Sequence, residues 1–515
     1  MSVPQQEMQD PQARSVSLPK RWPLVSQLYR RDPTVPFTKD ARLVNAYAER
    51  DPGDGKYWVF RRLGVGSTPF QSISGYPQGL YIYQPYSAVI SVVNQTVYNS
   101  GASIGTISLG GSAQQPCFFE LVNSSNMAGA GAQSILIGTV NAYGYGGNGY
   151  IYGIANNVFQ RITNANFPAA TMVPGWGYLD GTTYVMDVNG NIWGSALEDP
   201  STWTGLNVIN ASSKGDSGVA LATQLNYIIA LKQWTSQVFY DAGNPSPGSP
   251  LSPVPDSQLP FGCLHAYSVQ KIDEILFWIT SNQTISPQVA MMENLATRIV
   301  SNPSVDRVLD NIVFGSSLTA TPLYSWSLKH GGHRFYCITS LYLNVSLVYD
   351  IDQKLWYQWT DANGNYWPFS YNTFVPPSGT TEGLHLFQAI ASNPPFTSMG
   401  YIYQVDGDYN FPNDAGQICP LDIYTPNLDF DTIRRKHLNA LYFDGDKVPG
   451  YLQVRFSDDD YNTWSNFRSV NMNSKKPRLT KCGTFHRRRA YHLRYRGNTT
   501  FRIRDMDMQM DIGTL

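Results

Sequence analysis

Few residues in this 515-residue sequence combine the type and the spacing that chemistry needs. Gly101-Ala-Ser-Ile-Gly105 has the outline of a nucleophile elbow, in which a strand turning sharply into a helix exposes a serine. The flanking residues read instead as a hairpin between two strands, which makes Ser103 structural. His330-Gly-Gly-His333 offers two imidazoles but no third ligand at a recognisable spacing, so it reads as a turn ahead of the strand at Phe335. Asp350 and Asp352 are the nearest approach to the paired carboxylates of glycoside hydrolysis, which must lie ~5–10 Å apart. Flanking Ile351, they read as a hairpin turn. Asn141 to Gly153 interleaves tyrosines as a single-strand binder would, but holds no Lys or Arg. No catalytic residue, metal ligand or cofactor site emerges.

The densest charge is basic. Lys475, Lys476, Arg478 and Lys481 precede His486-Arg-Arg-Arg489, that is Arg487, Arg488 and Arg489, and Arg494, Arg496, Arg502 and Arg504 follow. Such a run neutralises phosphates in a salt-sensitive way, or forms a solvated loop or a salt-bridged subunit interface. Alternation over the last two strands predicts one basic face for Arg494, Arg496, Arg502 and Arg504. Just before the run, Ser457-Asp-Asp-Asp-Tyr-Asn-Thr-Trp464 resembles the Asp-box, a structural hairpin in which Asp459 bonds turn amides and Trp464 packs beneath. Tyr461 stands where that motif has glycine, which puts the tight turn in doubt.

Those residues must be positioned by a β framework. Tyr 33, Phe 23, Trp 12, Gly 43 and Pro 33, with 15% charged residues, favour strands and turns over helix. No run reaches the ~18 apolar residues of a membrane span, and residues 1–20 lack an apolar signal core, so a soluble, cytoplasmically folded chain is expected. Cys117, Cys263, Cys337, Cys419 and Cys482 lie far apart and read as reduced, buried thiols. The net charge of −1 divides unevenly: residues 1–62 hold 11 Lys+Arg against 7 acids, residues 63–433 hold 9 against 23, and residues 434–515 hold 17 against 8. The balances of +4, −14 and +9 allow two basic ends to share a face.

Residues 1–62 read as a Pro-punctuated arm and one strand, with a short helical stretch at Lys39–Arg50 and too little apolar periodicity for core. The arm is expected to lie on a neighbour, so that a chain lacking residues 1–50 folds but does not assemble. From Tyr57 onward, short apolar runs repeat as hairpins, among them two strands around Asn189-Gly190, a dipeptide suited to a type I′ turn. Their spacing predicts an all-β propeller of about six to eight blades over residues 63–433. Pro287–Arg298 and Val305–Asn311 are the helical candidates. Residues 434–515 form a basic C-terminal β domain, a small sandwich of about five strands.

Three groups of residues carry a family likeness: Lys39 to Glu49 with Phe60-Arg-Arg-Leu-Gly-Val-Gly, Ile192 to Trp203 with Ile228 to Tyr240, and the closing Asp-box followed by an Arg-rich strand pair. Gln237 departs from the pattern, where the family has glutamate. In order and nearly end to end the chain resembles the tail hub, or nozzle, of short-tailed, P22-like bacteriophages, the packaged DNA stabilisation proteins. The resemblance implies a virion tail protein without enzymatic activity or cofactor. It implies a homo-oligomeric ring, of six, that closes the portal channel, retains the packaged genome and serves as the conduit for its ejection. Its implied partners are the portal adaptor, a tail needle or plug, tail fibres or spikes, and double-stranded DNA passing without sequence specificity. On this view Lys475, Lys476, Arg478, Arg487, Arg488, Arg489, Arg494 and Arg496 are the candidate interface, and Ser457, Asp459 and Trp464 a structural turn. The alternative is a glycan-binding or glycan-cleaving propeller, a depolymerase or lectin, with Trp356-Tyr-Gln-Trp359 and Tyr366-Trp367 as stacking platforms.

Overall fold

The computed structural model describes residues 20–25, 41–108, 115–141, 144–245, 247–255, 257–284, 286–311, 323–377, 383–392, 395–396, 398–406 and 413–513. The apolar runs condense into antiparallel hairpins because most strands carry apolar side chains for both faces. Seven four-stranded units follow one another around a ring: residues 77–106, 118–161, 177–210, 218–253, 270–299, 323–359 and 369–406. Six are free-standing sheets, and the sixth unit in chain order continues into a nine-stranded sheet. The fold is an all-β propeller. Its last blade takes its fourth strand from Gly64–Gln71, which pairs with Ile402–Asp406, so an early segment closes the ring against a late one.

The core is divided among the spaces between blades. Ile90 meets Ile137 between the first two, Phe277 stacks on Tyr336 between the fifth and sixth, and Val89 meets Leu386 where the seventh meets the first. Within a blade, neighbouring side chains therefore serve different cores: Met291 and Met292, both fully buried, point into opposite spaces.

Beside the ring stands a two-sheet platform. Its seven-stranded sheet runs Ala46–Arg50, Tyr57–Arg61, Arg502–Ile512, Lys436–Gly445 and Arg478–Thr480, with Lys20–Trp22 and Thr484–Phe485 added at the sides. Facing it, Arg42–Val44, Leu421–Tyr424, Ala490–Tyr495, Tyr451–Ser457 and Arg468–Asn471 extend the sheet of the sixth blade. One apolar core fills the space between the two sheets and reaches the sixth and seventh blades.

Three expectations are corrected here. The stretch proposed as helical near Arg50 forms strands Arg42–Val44 and Ala46–Arg50, broken at Asn45 with φ 54°, because Ala46 and Ala48 bury on one face while pairing with Tyr57–Arg61. Residues 20–25 and 41–50 also contribute to the core, since Trp22, Leu24, Leu43, Ala46 and Ala48 are all buried. Pro287–Arg298 contains the hairpin Gln288–Glu293 and Ala296–Ile299, whose turn Asn294-Leu295 has φ of 50° and 63°; burial on both faces overrides helix propensity. Pro303–Leu309 is a helix, capped by the Asn302 side chain. Residues 1–19 and 26–40 lie outside the described residues.

The hairpin at Asn189-Gly190 is not a two-residue type I′ turn, because only Gly190 has positive φ, at 81°. Buried Asp187 organises a longer loop instead, accepting from Asn189 N, Asn191 N and Nδ2, and Trp193 Nε1 at 2.8–3.2 Å. Asp361 does the same for Asn363 and Asn365, so Asp-x-Asn-Gly-Asn recurs as a turn device. Asp187→Ala strands four donors and is expected to lower unfolding free energy by about 3 kcal/mol or more; a loss below about 1 kcal/mol in urea titration contradicts the role.

Candidate functional site: a basic edge on the platform

The free basic residues gather along one sheet edge. Strand Lys436–Gly445 is paired on one side with Arg502–Ile512, and on the other with Arg478–Thr480 over Ala440–Tyr442 and with Thr484–Phe485 over Lys436 and His437. The loops of this edge carry Lys475, Lys476, Arg478 and Arg487, all exposed and without an ion pair among the described residues. Arg496 is also exposed, but it follows strand Ala490–Tyr495 and so sits about 20 Å from Arg489.

Three of the eight candidate residues turn inward. Arg489 is only 1% exposed and grips Asp458 through Nε and Nη2 at 2.6 and 2.7 Å, with its guanidinium 4.0 Å over the Phe456 ring and 4.5 Å over Phe485. Burial opposes the Arg489 charge, but Asp458 and Tyr491 together outweigh it and raise the pKa above its ordinary value. Arg488 is held by Asp460, whose bond raises its pKa likewise. Arg494 Nε donates to Asp422 at 2.6 Å. There Arg455 Nε donates to His492 Nδ1, leaving Nε2–H to donate to Asp422; burial pushes His492 down to about 4, so it is neutral.

The acids opposite Arg488 and Arg489 come from the Asp-box. Asp458 and Asp460 bind Arg489 and Arg488, while Asp459 accepts from Thr463 N at 2.9 Å and from Ser457 Oγ at 2.8 Å. Tyr461 tolerates φ of 65° because its ring is buried and its hydroxyl donates to Thr425 O at 2.7 Å. Trp464 packs edge-on against Tyr424 and His492. The acid triplet and the arginine triplet thus interlock, a pairing that sequence separation of about thirty residues concealed.

The expected single basic face is corrected: Arg494 lies in the nine-stranded sheet, whereas Arg502 and Arg504 lie in the other sheet, paired with Asp446 and with Asp51 and Asp54. Arg434 and Arg435, missed in the sequence because no motif marks them, enter strand Lys436–Gly445 beside the loop of His486 and Arg487.

The remaining motifs serve the fold. Ser103 sits on Ala102–Thr106, the outermost strand of the first blade, paired with Tyr98. Gly331 and Gly332 form a two-residue turn with φ of 58° and 84°, and His333 Nδ1 bonds buried Asp350 at 2.8 Å. Asp352 is bound by Arg334, so neither acid of that pair is free. Trp359 and Trp367 are fully buried, which removes them as stacking platforms. All five cysteines are buried and free, and no group of three or more His, Cys, Asp or Glu among the described residues is placed to hold a metal.

On the propeller axis, strands from six blades and the loop leading into the third line a cavity of about 330 Å³ walled by residues such as Tyr81, Phe119, Trp176, Tyr267 and Tyr371. Such a volume suits a small molecule and admits no duplex. Burial pushes its one lining carboxyl, Glu120, up to about 7. The −14 balance is not a channel surface within one subunit, and Asp187, Asp216, Asp350, Asp361, Asp414 and Asp422 are buried.

A ring of four-stranded blades joined to a charged β platform defines a β-propeller protein. The chain belongs to the phage DNA-stabilisation family described as bacteriophage P22 Gp10, beta-propeller, whose profile matches residues 85–368, more than half of its length. The platform lies outside that stretch. No curated protein matches the chain. Similar solved structures include the computationally designed Ika8 protein, at 9% identity and TM-score 0.34, covering 65% of this chain and 99% of that one. Another is PorZ, a surface component of the type-IX secretion system of Porphyromonas gingivalis, at 12% identity and TM-score 0.35, covering 78% of this chain and 46% of that one.

Proposed function

We propose that this phage DNA-stabilisation protein works without catalysis as a subunit of the tail nozzle, a ring, of six, that closes the portal channel, retains the genome and later conducts it. The observation that carries this reading is the joining of early strands such as Lys20–Trp22 and late strands such as Arg502–Ile512 into one platform, whose free cations line an edge. The basic edge is suited to an acidic portal adaptor, and the propeller side to the needle and fibres. The conduit is formed between subunits, since the axial cavity of one propeller is too small for DNA.

The test separates assembly from folding. Combined replacement of Lys475, Lys476, Arg478 and Arg487 by Glu leaves thermal unfolding nearly unchanged, because exposed charges are worth only ~0–1 kcal/mol each. The same particles lose their DNA, because small terms add around a symmetric ring. Full, stable heads carrying these four changes refute the proposal. Replacing Arg489 is not an equivalent test, since a buried Glu beside Asp458 disrupts the fold.

The isolated chain is expected to bind duplex DNA weakly at low salt, given its acidic middle. Submicromolar, salt-sensitive binding in fluorescence anisotropy favours a nucleic-acid clamp instead.

A further inference from the structure

The loop that leads into strand Lys436–Gly445 is held in an unusual way. Lys436 is fully buried, and the three N–H groups of its ammonium are shared among four backbone carbonyls: Thr432 and Arg434 at 2.5 and 3.2 Å, and His486 and Arg487 at 2.6 and 3.2 Å. Two loops distant in sequence are thereby fastened to one charge. Burial lowers the Lys436 pKa, yet four acceptors replace the water it has lost. The same loop carries backbone strain, with Phe430 and Asp431 both at φ 57°. Strain at two consecutive non-glycine residues persists only where the surroundings impose it, and it gathers at functional positions.

What this arrangement presents is Ile433, 82% exposed, the most exposed large apolar side chain among the described residues. Around it stand Arg434, Arg435, His486 and Arg487, all exposed and none with a side-chain partner among the described residues. Ile512, 41% exposed, lies opposite Lys436 in the strand register. An apolar centre with a rim of unpaired cations is the complement of an apolar recess rimmed by carboxylates.

We infer that the loop of Ile433, held by Lys436, is a docking knob for a different virion protein that offers an apolar recess bordered by acidic side chains. This rests on the nozzle reading above. DNA is disfavoured because an isoleucine at the centre contributes nothing to phosphate contacts. A second copy of the chain is disfavoured because most exposed carboxylates among the described propeller residues already carry a cation: Asp273 with Lys329, Glu274 with Lys271, Glu293 with Arg298, and Asp352 with Arg334.

The experiment uses assembled particles. Benzoylphenylalanine placed at position 433 is expected to cross-link, on illumination, to one other virion protein, at a peptide rich in Asp and Glu beside apolar residues. Ile433→Asp and Arg434→Glu/Arg435→Glu should each reduce the copies per particle at least tenfold at physiological salt. Lys436→Met, which frees the two loops without altering the rim, should reduce them severalfold, and Lys214→Glu on an exposed propeller site should not. Circular dichroism of each purified variant separates docking from folding. Cross-links to DNA or to another copy of the chain, or normal incorporation of Ile433→Asp, overturn the inference. If the wild-type chain itself is absent from particles, the nozzle reading fails rather than this surface alone.

Discussion

Replacing Arg62 with alanine is expected to lower the unfolding free energy by about 3–5 kcal/mol, the range found when a buried ion pair loses one member. Arg62 and Asp414 have side chains 1% and 2% exposed, and the guanidinium grips the carboxylate with two bonds. Nε also donates to Asn45 Oδ1 at 2.9 Å, and Nη2 to Thr360 O at 2.9 Å. Asn45 in turn accepts from Thr360 N at 2.7 Å and donates to Pro420 O at 3.2 Å. One side chain thus joins the early strands, the end of the sixth blade, the segment after the seventh, and the platform. Burial opposes the Arg62 charge, but Asp414 and Cys419 together more than offset this and raise its pKa.

With the guanidinium gone, the Asp414 carboxylate is buried without a cation. The double variant Arg62→Met/Asp414→Asn should therefore be more stable than either single change implies by addition. Urea unfolding of the four proteins gives the coupling. A loss below about 1 kcal/mol for Arg62→Ala shows that the joint is not held this way.

The second large effect follows from truncation. A chain lacking residues 1–50 loses strands Lys20–Trp22, Arg42–Val44 and Ala46–Arg50, and with them Trp22, Leu24, Leu43, Ala46 and Ala48 from the platform core. Arg502–Ile512 loses its partner strand Lys20–Trp22, and Leu421–Tyr424 is left with an open edge. The expected product is an aggregating protein with a disordered platform, not a folded subunit unable to assemble.

A milder form of the test is Trp22→Ala, which should cost about 3–5 kcal/mol, the range for deleting a buried aromatic side chain. Trp22 packs edge-on against Tyr491 and Phe430 and donates to Pro426 O at 3.3 Å. Cooperative melting of the truncated chain at the temperature of the full-length protein contradicts the assignment of these residues to the core.

The propeller was legible in the sequence because its information is local. Ala88–Val93, Thr96–Asn99 and Ile275–Thr280 occur at the bounds that apolar patterning and turn residues predict. In a propeller most contacts join a strand to the next strand in the chain, so spacing alone signals the repeat. The Asp-box was legible for the same reason: Ser457, Asp459, Thr463 and Trp464 act within one loop.

What only the tertiary structure decided depends on partners distant in sequence. A run of arginines is equally basic whether it faces solvent or acids, and it was the fold that brought Asp458 and Asp460 to Arg489 and Arg488, leaving Arg487 free. Lys436 carried no sign of burial until the carbonyls of His486 and Arg487 were brought to it. Trp22 lies in a polar, Pro-rich stretch without periodicity, and one large side chain inserted between two sheets leaves no pattern behind. Local propensity and spacing therefore determined the strands and their grouping into blades. The free or occupied state of each charge was set by electrostatic contacts across hundreds of residues, such as the pair formed by Arg62 and Asp414, which no local pattern encodes.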